Sequence, residues 1–290
     1  MFGWLFDSIT NWIKDLLIDG IKGNLTAMFN DVNTKVATIA GDVGQTPAGW
    51  NSDIYNMIRS ISDTVIVPIA GMIITFVLVY ELVSMVMEKN NMQDIDTFNF
   101  FKFFLKAGVA VFVVSNTFTI VSGIFDVGQW VVTQSAGVIN SHSYIDITNV
   151  LNSMDAGLRA MSVGELLVLL METSLLRFCM SIIGICITII IFGRMIEIYL
   201  YCSVAPIPFA TFTNKEWGQI GNNYLRGLLA LCFQGLLIMV CVGIYAVMVN
   251  TLTITTNIHA NIWMVAAYTV LLCFTLFKTG SLSKQIFNAH

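Results

Sequence analysis

Charge is scarce in this chain. Of its 290 residues only 11% are Asp, Glu, Lys or Arg, against 56% hydrophobic, and the mean hydropathy is +0.77. Such a composition excludes an ordinary soluble domain. There is no block of Lys or Arg to draw nucleic acid to a single chain, and the net charge of -4 is thinly spread. The six cysteines form no CxxC and all lie in apolar segments, so they read as small packing hydrophobes rather than disulfides or thiolate ligands. His142, His259 and His290 belong to no HExxH and have no acidic neighbours at ligand spacing. No metal, cofactor or catalytic group is expected. A secretory leader is lacking too: "MFGWLFDSITNWIKDLLIDGIKG" has no basic start and no cleavage motif, and it carries Asp7, Asp15 and Asp19.

What is present is apolar sequence in lengths that cross roughly 30 Å of hydrocarbon. The expected fold is an all-α polytopic membrane protein with about five transmembrane helices, placed near 64–87, 105–125, 166–213, 225–249 and 262–279. Pro68 sits in the first turn of the first span, where its missing N–H costs little. Residues 1–63 precede the spans as an amphipathic helix followed by a more polar region. In that helix Phe2, Leu5, Phe6, Ile9 and Leu16 share one face, which needs lipid or protein to cover it, so we read them as an assembly helix. It is too interrupted by charge to span. The segment 126–164 reads as an outer loop, and 205–224 as a cytoplasmic elbow.

The 166–213 stretch is long enough for two crossings, but "FGRMIEIYLY" offers no turn chemistry. Loop charge decides for one. Lys89, Lys102 and Lys106, then Arg194, Lys215 and Arg226, then Lys278 and Lys284 alternate with loops nearly free of basic residues only if this stretch crosses once. The positive-inside rule then places the N-terminus outside and the C-terminus in the cytoplasm. Residues 1–63 would be extracytoplasmic, and 64–290 would form the transmembrane bundle. There is no internal repeat of the kind that marks many secondary transporters.

Glu81, Glu172, Arg177, Arg194 and Glu197 lie in or beside apolar segments. Each costs roughly 2.5–3.5 kcal/mol at a bilayer centre unless paired or hydrated. We read them as an intramembrane charge network. Arg194 and Glu197 are spaced to pair on one helix face, Glu81 can join them, and Glu172 and Arg177 need partners on another helix or subunit. Gly227 and Gly235, two turns apart, allow close helix approach.

The elbow begins at Pro206 and Pro208, which remove two backbone donors and disfavour helix just before them. Asn214, Glu216, Trp217 and Arg226 complete a polar surface suited to docking a partner, with Trp217 placed for the headgroup region. Here "RMIEIYLYCSVAPIPFATFTNKEWGQIGNNYLRGLLALCFQGLLIMVCVGIYAV", residues 194–247, resembles the core of TrbL-type conjugal transfer membrane proteins, in the branch found in Gram-positive conjugative elements.

The resemblance implies a multi-pass subunit of the bacterial cytoplasmic (inner) membrane, part of a type IV secretion machine for conjugative DNA transfer. It implies a homo-oligomeric ring at the translocation axis and no enzymatic activity. Implied partners are the secretion ATPase, bitopic scaffold and pilin-like subunits, membrane lipid, and in passing the transported DNA–protein substrate. A stand-alone transporter or ion channel is the alternative.

Overall fold

A computed structural model of the chain describes residues 3–87, 97–140, 147–214, 216–251 and 258–289. Among them every regular element is a helix. The first, α1 (Gly3–Val43), is a single helix of 41 residues. Its length follows from its stripe: Ile18, Ile21, Leu25, Met28, Val32, Val36, Ile39 and Val43 recur every three or four residues, and all are buried. Amphipathic periodicity therefore runs on through the region that looked merely polar.

Asn51 separates α2 (Pro47–Trp50) from α3 (Ser52–Ile61), its side chain accepting from the Asp53 and Ile54 amides. A π turn, Ser62–Ile66, then leads without interruption into α4 (Val67–Met87). Pro68 accounts for that turn. It has no N–H for the carbonyl four residues back, and the widened turn lets the Val67 amide reach Ser62 instead. Pro68 is thus interior to a helix running from 52 to 87, not in its first turn.

Helices α5 (Thr97–Ser115) and α6 (Thr117–Asn140) meet at Asn116 with a bend of 70°. There the Asn116 amide and Thr117 hydroxyl bond back to the Phe112 and Val113 carbonyls at 2.9 and 2.8 Å, the local competition that bends helices. Much of 126–164 is therefore helical, as the end of α6 and as α7 (Ile147–Ala160).

Next comes α8 (Val163–Val204), one unbroken helix of 42 residues, about 63 Å long at about 1.5 Å per residue. Ser162 and Glu165 start it with reciprocal bonds: Ser162 N–H donates to Glu165 Oε2 at 2.7 Å, and Glu165 N–H donates to Ser162 Oγ at 3.3 Å. The short α9 (Pro206–Ala210) and the long α10 (Gly218–Asn250) and α11 (Ile258–Ile286) complete the chain. Among the described residues four helices, 52–87, 163–204, 218–250 and 258–286, are long and apolar enough to cross a membrane, and the bent α5–α6 pair makes five if it counts as one span.

The helices assemble into two compact units, each drawn from separated stretches of chain. The first comprises Met1–Val43, Val132–Ile191 and Ile238–Lys278. In it α1 lies along α8. A Cβ on Gly20 would touch Leu170, Asn24 donates to Thr173 and Ser174 at 3.2 and 2.9 Å, and Lys35 Nζ donates to the Met180 carbonyl at 3.2 Å. Residue numbers rise together on both helices, so they run parallel. The α1 stripe shares one core with Leu166, Leu169, Leu176 and Ile187 of α8 and with Val242 and Leu272. Asp155 ties α7 to α1 by pairing with Lys22, and with Arg159 at 3.0 Å, which itself reaches Asp15 at 3.3 Å. Lys22 first, then Arg159, hold the Asp155 carboxyl below its usual range. The link is therefore complete above the ordinary carboxylate range, about pH 4, and lost only as pH falls through the lowered value.

The second unit comprises Gly44–Val131, Phe192–Leu237 and Thr279–His290. Its larger core packs Phe118, Val121 and Phe125 with Ile198, Tyr199, Leu228 and Leu231. A smaller one holds Ala70, Ile74, Ala110, Val114 and Ala210.

The α1 stripe gives a direct expectation. Leu25 is 1% exposed, so Leu25→Ala lowers the stability of the detergent-solubilised protein by about 2–5 kcal/mol in thermal unfolding. At Gly23 a Cβ meets nothing within 4 Å, so Gly23→Ala on the same helix is neutral or stabilises by up to about 1 kcal/mol. Equal losses from both would contradict the packing.

Candidate functional site at the proline elbow and the buried charges

The elbow belongs to the second unit and is tightly built. Pro206, which is buried, opens α9 in the first helical turn, where a donor is dispensable. Thr211 closes the turn: its hydroxyl donates to the Pro208 carbonyl at 2.7 Å and accepts from Gly221 N–H at 3.1 Å. Asn214, 4% exposed, accepts from the Glu216 and Trp217 amides at 2.7 and 3.0 Å and so prepares the start of α10. A Cβ on Gly221 would stand 2.7 Å from the Pro208 carbonyl. Only glycine lets α10 pass this close.

The chain thus turns inside packed protein, the condition for irregular backbone in a membrane protein. Ala210 seats α9 in the small core with α4 and α5. Trp217 stacks on Phe76 and Tyr80 of α4, with centroids 5.6 and 5.7 Å away and planes inclined by 11° and 20°. The Tyr80 hydroxyl donates to Glu216 at 3.3 Å. Of the residues read as a docking surface, Pro206 and Asn214 are buried and Trp217 is held by α4. Glu216 and Arg226 are exposed and available to a partner.

The five charges are not brought into one network. Each finds a partner of its own. Glu81 pairs with Lys106 at 2.8 Å, Glu172 with His259 Nδ1 at 2.6 Å, and Glu197 with Lys284 at 2.9 Å. Arg177 donates to Asn24 Oδ1 at 3.4 Å. Arg194, 7% exposed, donates from Nη2 to the Leu231 carbonyl at 3.4 Å, and its Nε has no partner among the described residues. Local pairing of Arg194 with Glu197 gives way because Lys284 reaches the carboxylate directly. Lys106, His259, Lys284 and Asn24 were missing from the sequence reading of this site. One signal for two of them was present: Glu172 and Glu197 are 25 residues apart, and so are His259 and Lys284.

Chemically, the three carboxylates are matched one by one across helices, whereas Arg177 and Arg194 meet only neutral oxygens. Among the described residues no three His, Cys, Asp or Glu side chains stand close enough to share a metal ion. The close-approach glycine at 227 is used, since a Cβ there would meet the Tyr201 ring at 3.2 Å. On the N-terminal helix, Phe2 lies outside the described residues, and Leu5 and Phe6 stand in the first turns of α1. Ile9 and Leu16 are 48% and 59% exposed, with Trp12 beside them at 66%.

The family described as TrbL/VirB6 plasmid conjugal transfer like protein matches residues 32–206, more than half of the chain. The chain belongs to that family. Membership makes it a multi-pass membrane protein of conjugal transfer by type IV secretion, in a family of structural membrane components that is not known for enzymes. The match starts within α1 and ends at Pro206, so it takes in all five charges and the opening of the elbow. The resemblance read from the sequence lay over 194–247. No curated relative and no solved structure matches the chain.

The elbow geometry is tested by two glycines. Gly221→Ala forces the Pro208 carbonyl and the Phe212 ring apart, whereas a Cβ on Gly193 meets nothing within 4 Å. Gly221→Ala should lower the unfolding midpoint by an amount corresponding to about 1–3 kcal/mol, as overpacking does, and Gly193→Ala should not lower it. A tolerated Gly221→Ala would mean the turn is looser than described.

Proposed function

We propose that the protein is a structural channel or assembly subunit of a type IV secretion machine and forms a homo-oligomeric ring at the translocation axis. Family membership over 32–206 carries this reading. Two features of the structure support it. Glu81, Glu172 and Glu197 are each matched by Lys106, His259 or Lys284 from another helix, as in a packed bundle. The start of α1 exposes Ile9, Trp12 and Leu16, an apolar surface that requires a cover. Neighbouring copies are the cover we favour, because Asp7 and Asp15 on the same helix weaken attraction to anionic lipid headgroups.

In this reading the protein sits in the cytoplasmic membrane with the start of α1 outside and the C-terminus in the cytoplasm. The exposed Glu216 and Arg226 of the elbow then face the secretion ATPase. Bitopic scaffold and pilin-like subunits are the remaining partners, and the DNA–protein substrate is a passing contact.

The test is complementation of a deletion strain with Leu5→Asp and Ile9→Asp combined. The double variant should insert at the normal level and run as a smaller species in detergent. Transfer frequency should fall at least about 100-fold, the loss expected when a few kcal/mol of interface burial is removed. Unchanged oligomer size with normal transfer would remove the ring assembly from the proposal. A deletion without effect on transfer would favour a stand-alone transporter or ion channel.

A further inference from the structure

Helix α1 is not among the helices apolar enough to cross a membrane, yet it lies along one that is. From Phe178 to Gly193, α8 carries no charged side chain, and this run is the part of the helix that hydrocarbon accommodates best. The second half of α1 stands against it. The Lys35 stem crosses α8 at Gly184, where a Cβ would come within 2.7 Å of the lysine. Its Nζ donates to the Met180 carbonyl at 3.2 Å and pairs with Asp31 at 3.5 Å. A cleft of about 330 Å³ opens here, with Asp31, Lys35 and Asp42 on its α1 side and a largely apolar α8 side that includes Ile185, Ile187 and Ile191.

The outward faces of the two helices differ in kind. At this level α8 exposes Leu175, Phe178, Ile182 and Ile189. Between Leu17 and Val43, α1 exposes no large apolar side chain, and its second half presents Asn30, Asp31, Thr34, Ala37, Thr38 and Gly41. Hydrocarbon accepts the first face and rejects the second.

We propose that the outward face of α1 from Asn30 to Asp42 lines an aqueous passage at membrane depth, open to water and small hydrophilic solutes. A dry seam with another protein surface would have to neutralise Asp42 as well as the Asp31–Lys35 pair, whereas water solvates all three. Lys35 bonded across Gly184 holds the charged stripe of α1 at the level of the charge-free run of α8. The inference needs α8 to cross the membrane, and it places residues 30–42 at membrane depth rather than outside with the rest of 1–63. It does not depend on a role in conjugal transfer, and its test does not read transfer.

That test uses membranes of cells carrying the whole transfer machine, with the six native cysteines replaced by alanine. Thr34→Cys and Thr38→Cys are compared with Phe178→Cys and Ile182→Cys in reaction with methanethiosulfonate ethyltrimethylammonium, a charged reagent that does not enter hydrocarbon. Reaction at 34 and 38 should be at least about 100-fold faster, the factor that exclusion of a charge from the bilayer centre gives. Equally slow reaction at all four positions overturns the proposal. So does reaction at 34 and 38 that appears only after the protein is extracted and purified, since protein would then cover the face. Should either threonine variant fail to insert, Ala37→Cys on the same face replaces it with the same expectation.

Discussion

The parallel packing of α1 on α8 is the constraint on which the first unit rests. A helix with charged and amide side chains on one face is held along an apolar helix by a stripe of buried residues from Ile18 to Val43. Packing in lipid gains little from apolar contact alone, because hydrocarbon is as apolar as leucine. Specific polar ties therefore carry the register: Asn24 to Thr173 and Ser174, and Lys35 to the Met180 carbonyl. Once that register is set, the charges of α1 are placed at the level of the least polar part of α8. Every later question about what surrounds this unit becomes a question about what solvates α1.

The same physical demand shapes the second unit. A chain that must turn beside apolar helices has to satisfy its backbone internally, and the elbow does so with Thr211 and Asn214 rather than with water. Gly221 permits the approach, and the aromatic stack of Phe76, Trp217 and Tyr80 fixes the turn to α4. A feature that looks like an exposed polar loop in the sequence is mostly interior. Only Glu216 and Arg226 keep the character that suggested docking.

Helix content and the membrane class were legible because they depend on composition and on apolar lengths, which are properties of single segments. The proline break was legible for the same reason. The single passage expected for 166–213 came from loop charge instead, and the structure gives one unbroken helix over Val163–Val204. What escaped was pairwise. Glu197 has Arg194 three residues away, yet Lys284 takes it from another helix, and no local pattern announces that choice. The extent of α1 escaped because Asn24, Asn30 and Asp31 dilute the hydropathy while leaving the three-to-four-residue period of the stripe intact. The segment after 126 was legible only in part: "SMDAGLRAM" allows a short helix, but Ser, Asn and Asp hide its extent until the S-x-x-E start at Ser162 and Glu165 and the buried Met154 and Leu158 are given their places. The family, by contrast, was recognisable from a stretch that the matched region 32–206 only touches, since Arg194, Glu197 and Pro206 are shared between the two.

The register of α1 on α8 is the claim most exposed to a single measurement. In native membranes and a background free of the six cysteines, disulfide cross-linking is compared for Gly20→Cys with Leu170→Cys, Lys35→Cys with Gly184→Cys, and the crossed pair Gly20→Cys with Gly184→Cys. The parallel register predicts that both matched pairs cross-link within one chain and that the crossed pair does not. Cross-linking of the crossed pair, or of neither matched pair, would contradict it and would take α1 away from membrane depth.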